Sequence, residues 1–243
     1  MTDYSEIAAH VARDVQDGKL TSLREDGLFR HVEFTAQKGW SRIILVTWPF
    51  NLLVAGSHGS YHFERHGSDT EDMFDWLRGI RVEPDRWASK LVNGADSVRE
   101  YDRDRLVAEV KAEVAEAVKE GAPRGLHAAV REQILESDRL HSRDWAMQMV
   151  YDFQHGVTYR SECSCGKSED HDDYADALRW HWGAHGGSSG YKVRIREIGG
   201  FAFSDVGDWN LDKVSYHFVY QCHAASWAIG QYDTARKQAE VAA

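Results

Sequence analysis

In the stretch ECSCGKSEDHDDYADALRWHWGAH, residues 162–185, one residue separates Cys163 from Cys165 and one helical turn separates His181 from His185. Zinc takes about four such thiolate and imidazole ligands in a tetrahedron, with sulfur near about 2.3 Å and nitrogen near about 2.0–2.1 Å. In an extended segment residues i and i+2 project to one side, so both thiols face one ion if the chain bends, and Gly166 permits the bend. The acids at the start of DHDDYADALRWHWGAH and its internal alanines favour a helix. That helix brings His181 and His185 onto one face at i and i+4, and Gly186 and Gly187 end it. The spacing thus predicts a strand, a turn and a helix held by zinc through Cys163, Cys165, His181 and His185, too small to bury much core without the ion. A closed set of four ligands makes the zinc structural, because catalysis needs an open position for water or substrate.

Alternatives stand beside this expectation. Usual two-Cys, two-His patterns separate the cysteines by about two to four residues, and leave about twelve before the histidines. Here the gaps are one and fifteen. A polar loop with incidental cysteines and an amphipathic helix would give the same residues, and His171 could replace one histidine as ligand. His58, His62 and His66 recur every four residues, which a turn at Gly59 and an outward strand face explain without a metal. Cys222 falls on the apolar face of a helix and reads as a small buried hydrophobe. No Gly-rich phosphate loop, H-E-x-x-H or G-x-S-x-G occurs.

The elements that must carry these residues follow from periodicity. YSEIAAHVARDV reads as a helix stopped by Gly18, and RHVEFTA, SRIILVTWPF, NLLVAGS and SYHFERH as three or four antiparallel strands with a turn at Gly39 and a break at Pro49. Ser68 or Asp69 caps a helix with Phe74 and Leu77 inward, ending at Gly79. Leu106, Val110, Val114 and Val118 form the stripe of the clearest helix. One or two more helices span GLHAAVREQILESDRL and SRDWAMQMVYDF, the latter capped by Ser142. YKVRIREI alternates as a half-buried strand, FAFSDVGDWN reads as a loop, and Val214, Phe218, Cys222, Ala225, Ile229 and Tyr232 share one face of the last helix. The predicted class is α+β, an antiparallel sheet packed with several helices plus the small metal-held element.

The 243 residues are 42% hydrophobic with nine tryptophans, enough for a sizeable core. The longest apolar runs, such as 43–46 and 52–55, fall short of the roughly 20 residues that span a bilayer. MTDYSEIAAH lacks a signal pattern, so a cytoplasmic location with no membrane partner is expected. Net charge of −10 opposes non-specific attraction to nucleic acid, and Glu169, Asp170, Asp172, Asp173 and Asp176 make the start of the metal-bearing helix negative. Lys192, Arg194 and Arg196 offset this locally, so nucleic-acid binding stays open but disfavoured.

The segments LVTWP at 45–49, DMF at 72–74 and SWAIGQYD at 226–233 resemble an uncharacterised family of proteins encoded by actinobacterial phages and related mobile elements, over roughly 27–93 and 199–233. ECSCG followed by HxxxH looks like a short zinc-ribbon-like element, with Lys167 where an aromatic is more familiar. Together the resemblances imply a main domain over 1–156, a zinc-binding insert over 157–198, and the main domain resuming over 199–243 with its C-terminal helix. The closed ligand set, the acidic charge and the absence of catalytic motifs predict a non-enzymatic interaction protein acting on a host or phage protein, and the phage resemblance suggests host takeover or inhibition of a defence system. The alternative is a zinc-dependent hydrolase or nucleic-acid-processing factor, with His171 or Asp172 leaving one coordination position to water.

Overall fold

Strand-forming residues with a period of two dominate the first quarter of the chain, and in the computed structural model they build an antiparallel sheet. The structure describes residues 4–36, 42–66, 70–78, 81–185, 190 and 192–242, and of residues 181–185 the backbone alone. In chain order come α1 (Ser5–Val15), β1 (Lys19–Asp26), β2 (Phe29–Thr35), β3 (Arg42–Trp48), β4 (Asn51–Gly56), β5 (Gly59–Glu64), α2 (Met73–Leu77), α3 (Pro84–Ala88) and β6 (Arg99–Tyr101). Then follow α4 (Arg103–Lys119), α5 (Leu126–Val130), α6 (Arg143–Asp152), β7 (Gln154–Cys163), β8 (Ser168–His171), α7 (Tyr174–His185), β9 (Val193–Ala202), β10 (Asp212–Val214) and α8 (Tyr216–Ala242). The fold is α+β with antiparallel sheets. The chain divides into two compact units, Met1–Glu100 with Lys213–Ala243, and Tyr101–Asp212; the segment 157–198 lies inside the second.

In the first unit β1 to β5 form a meander in sequence order. The fifth strand beyond the expected three or four is β1, an edge strand whose side chains are mostly exposed and which therefore carries little apolar alternation. Its one sequence signal is Asp26-Gly27, where Gly27 supplies the positive φ of 61° that a tight hairpin turn requires. At Pro49 the chain reverses: Trp48 pairs with Asn51, and Phe50 takes φ 63°, held by its amide to the Glu71 carbonyl and its carbonyl to the Arg65 amide, each at 2.9 Å. The inner sheet face, with Val32, Phe34, Ile43, Leu45, Leu52, Val54 and Phe63, is covered in one core with α1, α2, α3 and α8. On α8 the expected face from Phe218 to Tyr232 is buried, Cys222 included, whereas Val214, expected on the same helix, is buried at the end of β10. The α2 cap is Asp72, whose carboxylate accepts the Phe74 amide at 2.8 Å; the expected Ser68 and Asp69, like the stop at Gly79 and the turn at Gly39, lie outside the described residues.

The second unit has its own core. Leu106, Val110 and Val114 of α4 are buried with Leu126 and Val130 of α5 and Ala146 and Val150 of α6. The α4 stripe stops one turn early, since Val118 is 43% exposed. Ser142 occupies the α6 cap position without a side-chain cap bond, contrary to the expected role. A three-stranded sheet, β8-β7-β9, completes the unit. Here β9 runs on through Gly199 and Gly200 into Phe201 and Ala202, so the expected loop begins in a strand; Phe201 and Phe203 turn toward Phe153 and the core.

Candidate metal site

The cysteine segment is the hairpin turn between β7 and β8. Alternation along β7 puts Tyr159, Ser161 and Cys163 on one face; Ser161 is fully buried and Cys163 nearly so, while Cys165 is exposed. At the turn the Cys163 amide donates to the Lys167 carbonyl at 2.8 Å and the Gly166 amide to the Cys163 carbonyl at 2.9 Å, with Gly166 at φ 91°. The expected bend at Gly166 is therefore present. The Cys165 amide points at the Cys163 sulfur at 3.5 Å, so a backbone N–H dipole faces that sulfur. The Lys167 amide and the Cys163 side chain hold the Cys165 thiol below its usual range. Cys222, by contrast, is buried in apolar surroundings that push its thiol well up.

These environments order the reactivity of the three thiols. Brief iodoacetamide treatment at neutral pH should label Cys165 first, Cys163 later and Cys222 only on unfolding, as read by peptide mass spectrometry. Zinc added beforehand should suppress labelling of Cys165 if that thiolate binds it.

Helix α7 lies along the buried face of β7. The Tyr174 ring meets the Tyr159 ring at 5.4 Å between centroids, and the Ser161 hydroxyl donates to the Ala177 carbonyl at 3.0 Å. Asp173 caps the helix by accepting the Ala175 amide at 2.6 Å and the Asp176 amide at 3.2 Å. Strand and helix run in the same direction, and rises of about 3.3 Å and about 1.5 Å per residue keep two strand residues in step with one helical turn. The turn after Ala177 carries residue 181, and the strand position after Ser161 on that face is Cys163. The chain then enters β9 at Val193, which pairs with Cys163. The side chains of His181 and His185, and the helix stop at Gly186 and Gly187, lie outside the described residues.

His171 is placed elsewhere: it pairs with Tyr159, four residues from Cys163, or about 13 Å along the strand. That separation removes it from the thiols. Its Nε2 is buried beside Trp180 with no hydrogen-bond partner among the described residues. Among the described residues no three His, Cys, Asp or Glu side chains converge as a metal-holding group.

No family model, curated protein or solved structure matches this chain.

The residues that position the turn and were not singled out from sequence are Tyr159, Ser161, Tyr174 and Ala177. Their signal was present as the alternation of β7, obscured by Gly156 and by polar neighbours. The three regularly spaced histidines separate as expected for an outward face, with His62 against Asn51 at 2.8 Å and His66 beside Glu64 at 3.5 Å. Beyond the cysteine turn, the outer sheet face of the first unit carries half-buried Ile44, Val46, Trp48 and Leu53, flanked by Phe29 at 62% exposure. No helix among the described residues is long and apolar enough to cross a membrane.

Proposed function

We propose that this is a phage-derived, non-enzymatic interaction protein in which β7, β8 and α7 form a zinc-stapled module, acting on a host or phage protein. The observation that carries the metal reading is the turn at Cys163–Gly166 on the face along which α7 advances in step with β7. Cys163 and Cys165 supply two thiolates, and His181 and His185 are the partners one and two turns beyond Ala177. Zinc there would tie a small sheet to its covering helix and replace core that this part of the chain lacks. The protein partner is supported by the half-buried apolar outer face of the five-stranded sheet, while the acidic balance disfavours nucleic acid. Takeover of host machinery or inhibition of a host defence suits the phage resemblance.

Elemental analysis of the purified chain tests the metal reading, with one zinc per chain expected. Cys163→Ser and Cys165→Ser should each release it, and limited proteolysis should then cut within 157–190 while α4 and the five-stranded sheet stay protected. Zinc retained by both variants, or none in the wild type after growth in zinc, would overturn it. Capture from host lysate should give a stoichiometric protein partner; chelation-sensitive nuclease or phosphatase turnover would favour the hydrolase instead.

A further inference from the structure

Three elements of the first unit bring together imidazoles that are distant in sequence. His58 sits in the two-residue turn between β4 and β5, closed by the pairing of Gly56 with Gly59 and fastened by the Tyr61 hydroxyl, which donates to the His58 carbonyl at 3.0 Å. His217 stands in the first turn of α8, and the Nδ1 atoms of the two rings lie 2.9 Å apart. Behind His58 is the Tyr220 ring, 3.9 Å away between centroids, which sets the direction of the imidazole. His10 on α1 is already engaged: its Nδ1 meets the Tyr216 hydroxyl at 2.5 Å and its Nε2 lies 3.4 Å from Asp14, which also accepts the Tyr220 hydroxyl at 2.9 Å.

At 2.9 Å the two facing Nδ1 atoms have room for one proton between them, so at least one lone pair points into the gap. The neutral imidazole is the form that binds metal. Ligand nitrogens about 2.0–2.1 Å from an ion stand about 2.9 Å apart when they subtend a right angle, against about 3.3 Å at the tetrahedral angle. The observed separation fits the right angle, and square-planar or tetragonal nitrogen sites belong to divalent copper and nickel. His217 is exposed, which leaves the other coordination positions to solvent.

We propose that His58 and His217 form an open two-histidine site for divalent copper or nickel, with water in the remaining positions. It stands independently of the cysteine turn, because it uses neither thiol and no residue of the second unit. The test is a titration of the untagged full chain, loaded with zinc beforehand, with Cu2+, followed by electron paramagnetic resonance, and with Ni2+, followed by calorimetry. One copper per chain with hyperfine coupling to two imidazole nitrogens is expected. Nickel affinity should fall by about tenfold or more in both His58→Ala and His217→Ala, and stay unchanged in His62→Ala. Because His217 is exposed, its variant should keep the wild-type circular dichroism even if His58→Ala disturbs the turn. A copper spectrum without two nitrogens, or wild-type nickel affinity in His217→Ala, would overturn the site.

Discussion

Asp72→Ala should cost about 3–5 kcal/mol of stability in urea denaturation, the loss typical of leaving a buried charge without its partner. Arg30 is 6% exposed at its side chain and forks onto both carboxylate oxygens of Asp72 at 2.8 Å each. Its guanidinium also lies over the Phe74 and Tyr232 rings, 5.1 and 5.9 Å from their centroids, and among the described residues its remaining carboxylate partner without Asp72 is Glu25, at the longer distance of 3.5 Å. The same carboxylate caps α2, so the first helical turn loses its cap together with the ion pair. Arg30→Met, which removes the charge and keeps the bulk, should cost less than Asp72→Ala.

The pair also sets an acid limit. Burial alone would raise the Asp72 pKa, but hydrogen bonds from Arg30 and the Phe74 amide, with the charges of Arg30 and Arg78, outweigh it and hold the carboxyl below its usual range. A depressed folded-state pKa means that the stabilisation is complete above the unfolded value of about 3.9 and disappears as pH falls through the folded value. The wild type should therefore lose stability on acidification below about pH 4, whereas Asp72→Asn, weaker at neutral pH, should show a flatter acid limb. Equal slopes for the two chains would contradict this account.

Gly200→Ala should destabilise the second unit by about 2–5 kcal/mol, combining a disfavoured φ with overpacking. Gly200 takes φ 113°, and a β-carbon there would come within 2.8 Å of the Val157 α-carbon and 3.1 Å of its nitrogen, backbone atoms that cannot swing aside. The β7–β9 register shifts at this point, between His155 and Thr158, and the close approach is how the strands pass the irregularity. Hydrogen exchange of the β7 and β9 amides should accelerate while the five-stranded sheet keeps its protection. Gly230→Ala is the contrasting control: inside α8, with ordinary helical φ and open space around its α-carbon, it should stabilise by about 0.5–1 kcal/mol.

Sequence periodicity made α4, the inner faces of β2 to β5 and the buried face of α8 legible because each buries one side against one core. It failed where the cause is non-local. Strand β1 is an edge with little to alternate, and Gly199-Gly200 looks like a terminator until Val157 is seen to press against it. The Asp72 carboxylate that caps α2 is also held in place by Arg30, forty-two residues away, a contact that no local pattern announces. The bent cysteine turn was readable from Gly166, but the separation of His171 from it depends on strand register, which the spacing of ligands does not encode. The meeting of His58 and His217, 159 residues apart, has no local signature at all.

The order in which the chain is synthesised gives the division into units a temporal meaning. The nascent sheet of residues 19–64 emerges long before α8, whose Phe218, Tyr220, Ile229 and Tyr232 complete its core. Between Glu100 and Lys213 the ribosome must add 112 residues (101 to 212), about 6–22 s at ordinary translation speeds of about 5–20 residues per second. Throughout that interval the inner face of the sheet is without its longest covering helix, so the second unit can finish folding before the first, and a chaperone that shields apolar strands has its opening there.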